Sequence, residues 1–131
     1  MSKRGRSIAR TQLEEIIKKF LIFLKKELSF THDVPLILVD DVEFAKKIKA
    51  FGEISSKNTI HVSVVNRHPV DILRTIAHEY AHYKQHLEKS SLHGSFHAGS
   101  PTENQANAKA GELLRKYGNL HPELFDFMPL R

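Results

Sequence analysis

Apolar residues recur at intervals of three and four in the first part of the chain, from about Ser7 or Thr11 to about Ser29. Lysines and glutamates fill the opposite positions, so this spacing predicts an amphipathic helix with one face in the core. Thr11 and Glu14 form a capping-box pattern at its start. The apolar positions are Leu13, Ile16, Ile17, Phe20, Leu21, Leu24 and Leu28.

Shorter apolar runs with the character of strands come next. Residues 34–39 form a continuous apolar run after a proline-containing turn, which predicts a buried strand, and residues 40–49 predict a short helical turn. Residues 50–55 and 59–65 predict two more strands, of which the second alternates apolar with mainly polar residues. The polar residues 56–58 lie between them, so an antiparallel hairpin is expected.

Helical spacing returns in the second half of the chain. Pro69 stands near the start of a helix expected to reach about Lys89, where a proline costs no hydrogen bond. A loop over residues 90–100 precedes a last helix from Pro101 or Thr102 to about Tyr117, with Gly118 at the C′ position. The tail 119–131 carries several large apolar residues and is expected to pack against the body.

Length, charge and residue usage narrow the class of protein. A chain of 131 residues without cysteine predicts one domain, a core without disulfides, and any metal held by His, Asp or Glu. No run is long enough for a membrane span and no signal peptide is evident, so we expect a soluble, cytoplasmic protein without membrane contact. The net charge is +5, and residues 1–10 form a basic flexible arm, suited to solvation or to weak nucleic-acid contact.

The most specific chemical feature is the pentapeptide His78-Glu79-Tyr80-Ala81-His82. It has the pattern HExxH, and it lies within the helix predicted from Pro69. Histidines four residues apart lie one turn apart on one helical face, where both imidazoles can bind one zinc ion. The adjacent glutamate can then act as general base toward a water molecule. Both histidines fall on the polar stripe and are expected to face away from the main core.

A catalytic zinc ion usually has three protein ligands, so a third must lie elsewhere. His86 lies roughly 12 Å from His78 along the helix axis, which is too far for both to bind one ion. Glu103, at the start of the last helix, is the strongest candidate, and Asn107 lies on the same helical face with a predicted outer role of orienting an imidazole. His93 and His97 in the loop are alternatives, either as third ligand or as hydrogen-bond donors to a reacting carbonyl.

These residues together resemble the gluzincin metallopeptidases. The pattern His78-Glu79-x-x-His82, followed by Glu103-Asn104-Gln105-Ala106-Asn107 and then Ala110 and Leu113-Leu114, is most similar to the small ImmA/IrrE-type metallopeptidases. The resemblance covers about residues 60–115. It implies an α+β, minimal zincin-like fold, with an N-terminal helix, a small mixed or antiparallel sheet of about three strands, an HExxH helix and a C-terminal ligand helix.

The expected function is that of a zinc-dependent endopeptidase with one Zn²⁺ on His78, His82 and Glu103, and with Glu79 as general base. The peptide or protein substrate is expected to add to the hairpin as an extra strand. His61, His68 and Tyr83 are further candidates for stabilising the oxyanion. Two alternatives stay open: a non-catalytic zinc-binding regulatory or interaction protein, and a nucleic-acid-associated protease of the SprT-like kind with a histidine as third ligand.

Overall fold

A computed structural model of the chain describes residues 10–31, 33–41, 43, 52–54, 59–65, 67–88 and 101–126. Within these residues the fold is α+β: one helix comes first, the three strands of a small sheet follow, and two further helices come after the strands. The helices are α1 (Arg10–Glu27), α2 (Pro69–Glu88) and α3 (Pro101–Leu120), with a short 3-10 helix over Pro122–Asp126. The strands are β1 (Leu36–Val39), β2 (Gly52–Ile54) and β3 (Ile60–Ser63).

The described sheet is mixed, with the strand order β1-β3-β2. β1 runs parallel to β3, with Leu36 opposite Ile60, and β2 runs antiparallel to β3, with Ile54 opposite Ile60. The antiparallel pairing of the predicted hairpin is therefore confirmed. β3 has a neighbour on each side, which leaves β1 and β2 as the edge strands of the described sheet.

The core lies where α1, one face of β3 and α2 meet. The predicted apolar stripe of α1 is confirmed, because Leu13, Phe20 and Leu24 are fully buried. Ile60 and Val62, which share one face of β3, are equally buried and belong to the same cluster as the apolar side of α2. The buried residues that α2 contributes include Ile72, Leu73, Ile76, Ala77 and Tyr80.

The start of α2 is tied to the end of β3 by a buried arginine. Arg67 donates hydrogen bonds to the carbonyl oxygens of Ser63 at 2.8 Å and Asp71 at 3.0 Å, and a third to the hydroxyl of Thr75. Burial lowers the pKa of Arg67 to about 10, so the guanidinium stays charged at neutral pH. The backbone N–H of Val70 donates to Nδ1 of His68, which caps the first turn. Side-chain contacts therefore set where α2 begins.

α3 packs along α2 through its smallest side chains. Ala106 is fully buried and Ala110 is 2% exposed, while Ala108 on the other side of the helix is exposed. Alanines at an interface allow two helix axes to approach each other closely. Leu113, Leu114 and Tyr117 continue the same buried face.

Several predicted helix ends differ from the observed ones. Thr11 does not cap α1, because Arg10 is already helical and its guanidinium holds the Glu14 carboxylate at 3.2 Å. Arg10 also pairs with Asp40, so it belongs to the body and not to a flexible arm. Gly118 does not end α3, which continues to Leu120. Pro122, two residues further on, has no backbone N–H and cannot extend the helical hydrogen bonds.

The strand and tail predictions hold in part. β1 begins at Leu36 and not at Val34, because Pro35 has no N–H to donate to a neighbouring strand. In the tail, Leu124 is buried in the core, whereas Leu120 is 64% exposed. The other sequence predictions concern residues outside the described part of the chain, namely 1–9, 44–51, 55–58, 89–100 and 127–131.

Within the part of the chain that the structure describes, no helix combines the length and apolar character that a membrane span requires.

The close approach of α3 to α2 can be tested with a pair of alanine substitutions. Ala110→Leu adds three carbons to a filled interface and should lower the free energy of unfolding by about 1–3 kcal/mol. Ala108→Leu, on the exposed side of the same helix, should change it by no more than about 0.5 kcal/mol. Urea unfolding followed by circular dichroism measures both, and equal effects would contradict this packing.

Candidate metal and catalytic site

The three functional residues of the HExxH pattern lie near the middle of α2. The imidazole rings of His78 and His82 are 4.6 Å apart between centroids, at an interplanar angle of 87°. One helical turn thus brings four ring nitrogens into a small volume, as the sequence predicted. Two neighbouring imidazoles with nitrogen donors match what zinc prefers, so the residues present suit that ion.

The surroundings of these residues are drier than the sequence predicted. His82 is only 5% exposed and Glu79 only 7%, while His78 is partly buried. The sequence placed both histidines away from the main core, and neither belongs to the apolar cluster, but it did not indicate how little solvent reaches His82. α2 contacts the sheet, α1 and α3, so tertiary packing limits the exposure of its polar stripe. That stripe is exposed at Asp71 and Arg74 and buried at His82.

Gln85, one turn after His82, holds the ring of that histidine. Nδ1 of His82 and Oε1 of Gln85 are 3.0 Å apart. The amide nitrogen of Gln85 in turn donates to Oε1 of Gln105 on α3, at 3.5 Å. The sequence analysis gave Gln85 no role, although its spacing of three residues from His82 on a helix was a usable signal.

Two tyrosines close to Glu79 in sequence join α2 to the segment between α1 and β1. The Tyr80 hydroxyl donates to the carbonyl oxygen of Val34 at 3.2 Å, and burial raises the pKa of Tyr80 far above its ordinary value. Tyr80 and Tyr83 both meet the ring of Phe30 edge-on, at 5.9 and 5.7 Å. Tyr83 therefore packs on the segment between α1 and β1, and this contact gives no support to its predicted role with an oxyanion.

The predicted ligand helix is α3, and position 103 lies in its first turn. Position 103 comes three residues before Ala106 and seven before Ala110, so by helical register it lies on the face that packs against α2. The side chain of Glu103 is outside the described part of the structure. Asn107, one turn later, is exposed at the margin of that face.

The other predicted histidines fall in different places. His68 caps the start of α2, ten residues and so roughly 15 Å from His78 along the helix. His61 lies on β3 between Ile60 and Val62, and its side chain therefore leaves the sheet on the face opposite the one that packs on α2. His93 and His97 lie outside the described residues. In the described ranges no group of three His, Asp or Glu residues forms a metal site, and the third ligand is not placed.

A known protein family matches the part of the chain that contains these residues. The profile of Peptidase_M78, described as the IrrE N-terminal-like domain, matches residues 32–130. That range contains the sheet, α2 and α3, and begins after the end of α1. No curated protein and no solved structure matches the chain. With about three quarters of its length matched, the chain belongs to the Peptidase_M78 family of IrrE N-terminal-like domains, a metallopeptidase family.

Proposed function

We propose that the protein is a zinc-dependent endopeptidase whose metal is held by His78, His82 and Glu103. The observation that carries the proposal is the pair of adjacent imidazoles beside a buried glutamate, on a helix that the family match includes. A purely structural zinc site has no use for a buried carboxylate next to its ligands. Glu79 therefore favours a hydrolytic site over a binding site alone.

Glu103 is proposed as third ligand because of its place on α3. Its position shares the face of Ala106 and Ala110, the side on which α3 approaches α2 most closely. A carboxylate oxygen must come within about 2.2 Å of a zinc ion, which two helices with bulky side chains between them would prevent. The small residues therefore support this helix as the source of the ligand. His93 and His97 are the alternatives that the metal experiment below distinguishes.

The chemistry divides between the metal and the protein. A bound zinc ion would supply a water of lowered pKa and would polarise the scissile carbonyl. Glu79 accepts the proton of that water and later delivers it to the nitrogen of the leaving amine. Its burial keeps competing solvent away from the carboxylate, so that proton transfer occurs to the reacting groups. His93 and His97 are the proposed donors to the oxyanion.

The substrate is proposed to bind as an extended peptide along β2. The prediction named either strand of the hairpin, and the described sheet leaves only β2 of these two with an open edge. β2 also contacts α2, the helix that carries His78 and His82, which supports substrate binding along this strand. Backbone hydrogen bonds would then give affinity without strong dependence on peptide sequence.

Metal content tests the ligand set. The wild-type protein, loaded with zinc and desalted, should contain one zinc ion per chain by elemental analysis, and Glu103→Ala should lose most of it because a ligand is missing. Glu112→Ala, an exposed glutamate on the same helix, is the matched control and should keep its metal. Zinc retained in Glu103→Ala would transfer the third position to His97 or His93 and favour the SprT-like reading.

Glu79→Gln separates metal binding from catalysis. The variant should bind zinc like the wild type, because Glu79 is not a ligand, yet cleave a library of quenched fluorescent peptides roughly 100 to 10,000-fold more slowly. Glu112→Gln should cleave at the wild-type rate. Cleavage by Glu79→Gln at the wild-type rate would show that Glu79 is not the base. Zinc binding with no cleavage by the wild type would favour the regulatory alternative.

The location of the substrate can be tested with the inactive Glu79→Gln protein. A peptide that the wild type cleaves should slow amide hydrogen exchange in β2, because its backbone would pair with that edge. β1, the other edge of the described sheet, is the internal control and should exchange as before. Protection of neither edge, with the peptide demonstrably bound, would contradict strand addition.

A further inference from the structure

We propose that Gln85 is a positioning residue, which sets the tautomer and the orientation of His82 so that Nε2 of this histidine is offered to the metal. The proposal rests on the metal site proposed above and deepens it. It assigns to Gln85 the orienting role that the sequence suggested for Asn107.

The hydrogen bond itself selects the tautomer. A neutral imidazole carries one hydrogen, on either Nδ1 or Nε2, and a carbonyl oxygen can only accept. Nδ1 of His82 lies 3.0 Å from Oε1 of Gln85, so this contact requires the hydrogen on Nδ1. The free electron pair is then on Nε2, the atom that can bind a metal ion. With the hydrogen on Nε2 instead, the unshared electron pairs of Nδ1 and of Oε1 would face and repel each other.

The orientation of the Gln85 amide is supported by its second contact. The side-chain nitrogen of Gln85 lies 3.5 Å from Oε1 of Gln105. With the amide turned round, the nitrogen would face Nδ1 of His82 and an oxygen would face an oxygen of Gln105. The arrangement in the structure, with Oε1 of Gln85 on His82, satisfies both contacts, whereas the reverse would require the exposed amide of Gln105 to turn as well. The second contact is long, so its own contribution is small.

Burial makes the contact between His82 and Gln85 effective. His82 is 5% exposed, so water competes little for its Nδ1. Gln85 lines a cleft of about 470 Å³ between α1, α2 and α3, together with Lys84 and Gln105, whereas His82 is not part of the cleft wall. Gln85 therefore stands between that cleft and the histidine. Its loss would remove from a buried ring the contact that selects its tautomer.

The contact with Gln105 also ties the two ligand helices together. Gln105 lies two residues after position 103, in the first turns of α3. A chain of side chains thus runs from the His82 ring through Gln85 to the helix that carries the proposed third ligand. Because Gln105 is exposed and its bond is long, we expect it to tune the geometry only slightly.

The test compares four variants of the full-length chain. Gln85→Met keeps the length of the side chain but removes its oxygen, and Gln85→Glu keeps an acceptor at the same place. Gln105→Met removes only the distal contact. Lys84→Met is the matched control, because Lys84 lines the same cleft and precedes Gln85 in the chain, but its described contact is with Phe30. Zinc affinity is measured by competition with a chromophoric chelator, after thermal unfolding shows that each variant is folded.

Gln85→Met should weaken zinc binding by about 10 to 100-fold, the range typical of losing a partner that orients a metal-bound histidine. Gln85→Glu should bind zinc as tightly as the wild type or more tightly, since a carboxylate is the stronger acceptor. Gln105→Met should differ by about twofold or less. Lys84→Met should not differ. Equal affinities of Gln85→Met and wild type would overturn the proposal.

A measurement without metal gives a second, independent readout. In the metal-free wild type, nitrogen NMR of the histidine side chains should show His82 with its hydrogen on Nδ1, and Gln85→Met should shift it toward a mixture of tautomers. An Nε2–H tautomer in the wild type would overturn the proposal even if zinc binds. A wild type that binds no zinc would instead refute the metal site itself, so the two failures are distinguishable.

Discussion

The close contact between α2 and α3 is the constraint on which the site depends. Ala106 and Ala110 remove the side-chain bulk that normally separates two helices, and this brings the face of α3 that includes position 103 toward the HExxH turn. His82 and Glu79, on the neighbouring turns of α2, are both buried. A wider separation of the two helices would move the proposed third ligand away from His78 and His82.

α2 serves the core and the site at once. Its apolar side completes the cluster built by α1 and β3, and its polar side carries the HExxH residues. Buried polar groups are stable only when they are paired, so the helix needs fixed partners along its length. Arg67 supplies one at the start through Ser63, the Tyr80 hydroxyl one in the middle through Val34, and Gln85 one near the end through Gln105. These contacts fix the position of α2 and its rotation about its own axis. That rotation decides where the imidazoles of His78 and His82 point.

The sheet contributes an edge beside this helix. β3 lies inside the described sheet, so its apolar face can be wholly buried against α2. In the described sheet β2 has an open edge, and it also contacts α2, which is why this strand is the proposed place for an extended substrate. The family match covers the sheet, α2 and α3 together.

The sequence alone determined the features that depend on local spacing. The stripe of α1, the antiparallel hairpin, the adjacency of His78 and His82, and the alanine face of α3 all follow from helical or strand periodicity, which needs no knowledge of distant contacts. Local signals misjudged features that the neighbours decide. Thr11 and Gly118 have the residue types of helix ends, but Arg10 is already helical, and α3 continues past Gly118 to Leu120, shortly before Pro122.

Only the tertiary structure decided how little solvent reaches the HExxH residues and which side chains contact them. His82 lies on a polar stripe, and nothing in its own segment shows that it will be buried. Gln85 looks like any polar helix residue until its contacts with His82 and Gln105 are seen together. The physical reason is that burial and side-chain partnership are properties of elements distant in sequence. Periodicity specifies which face of a helix is polar, but the packing of its neighbours specifies whether that face meets water.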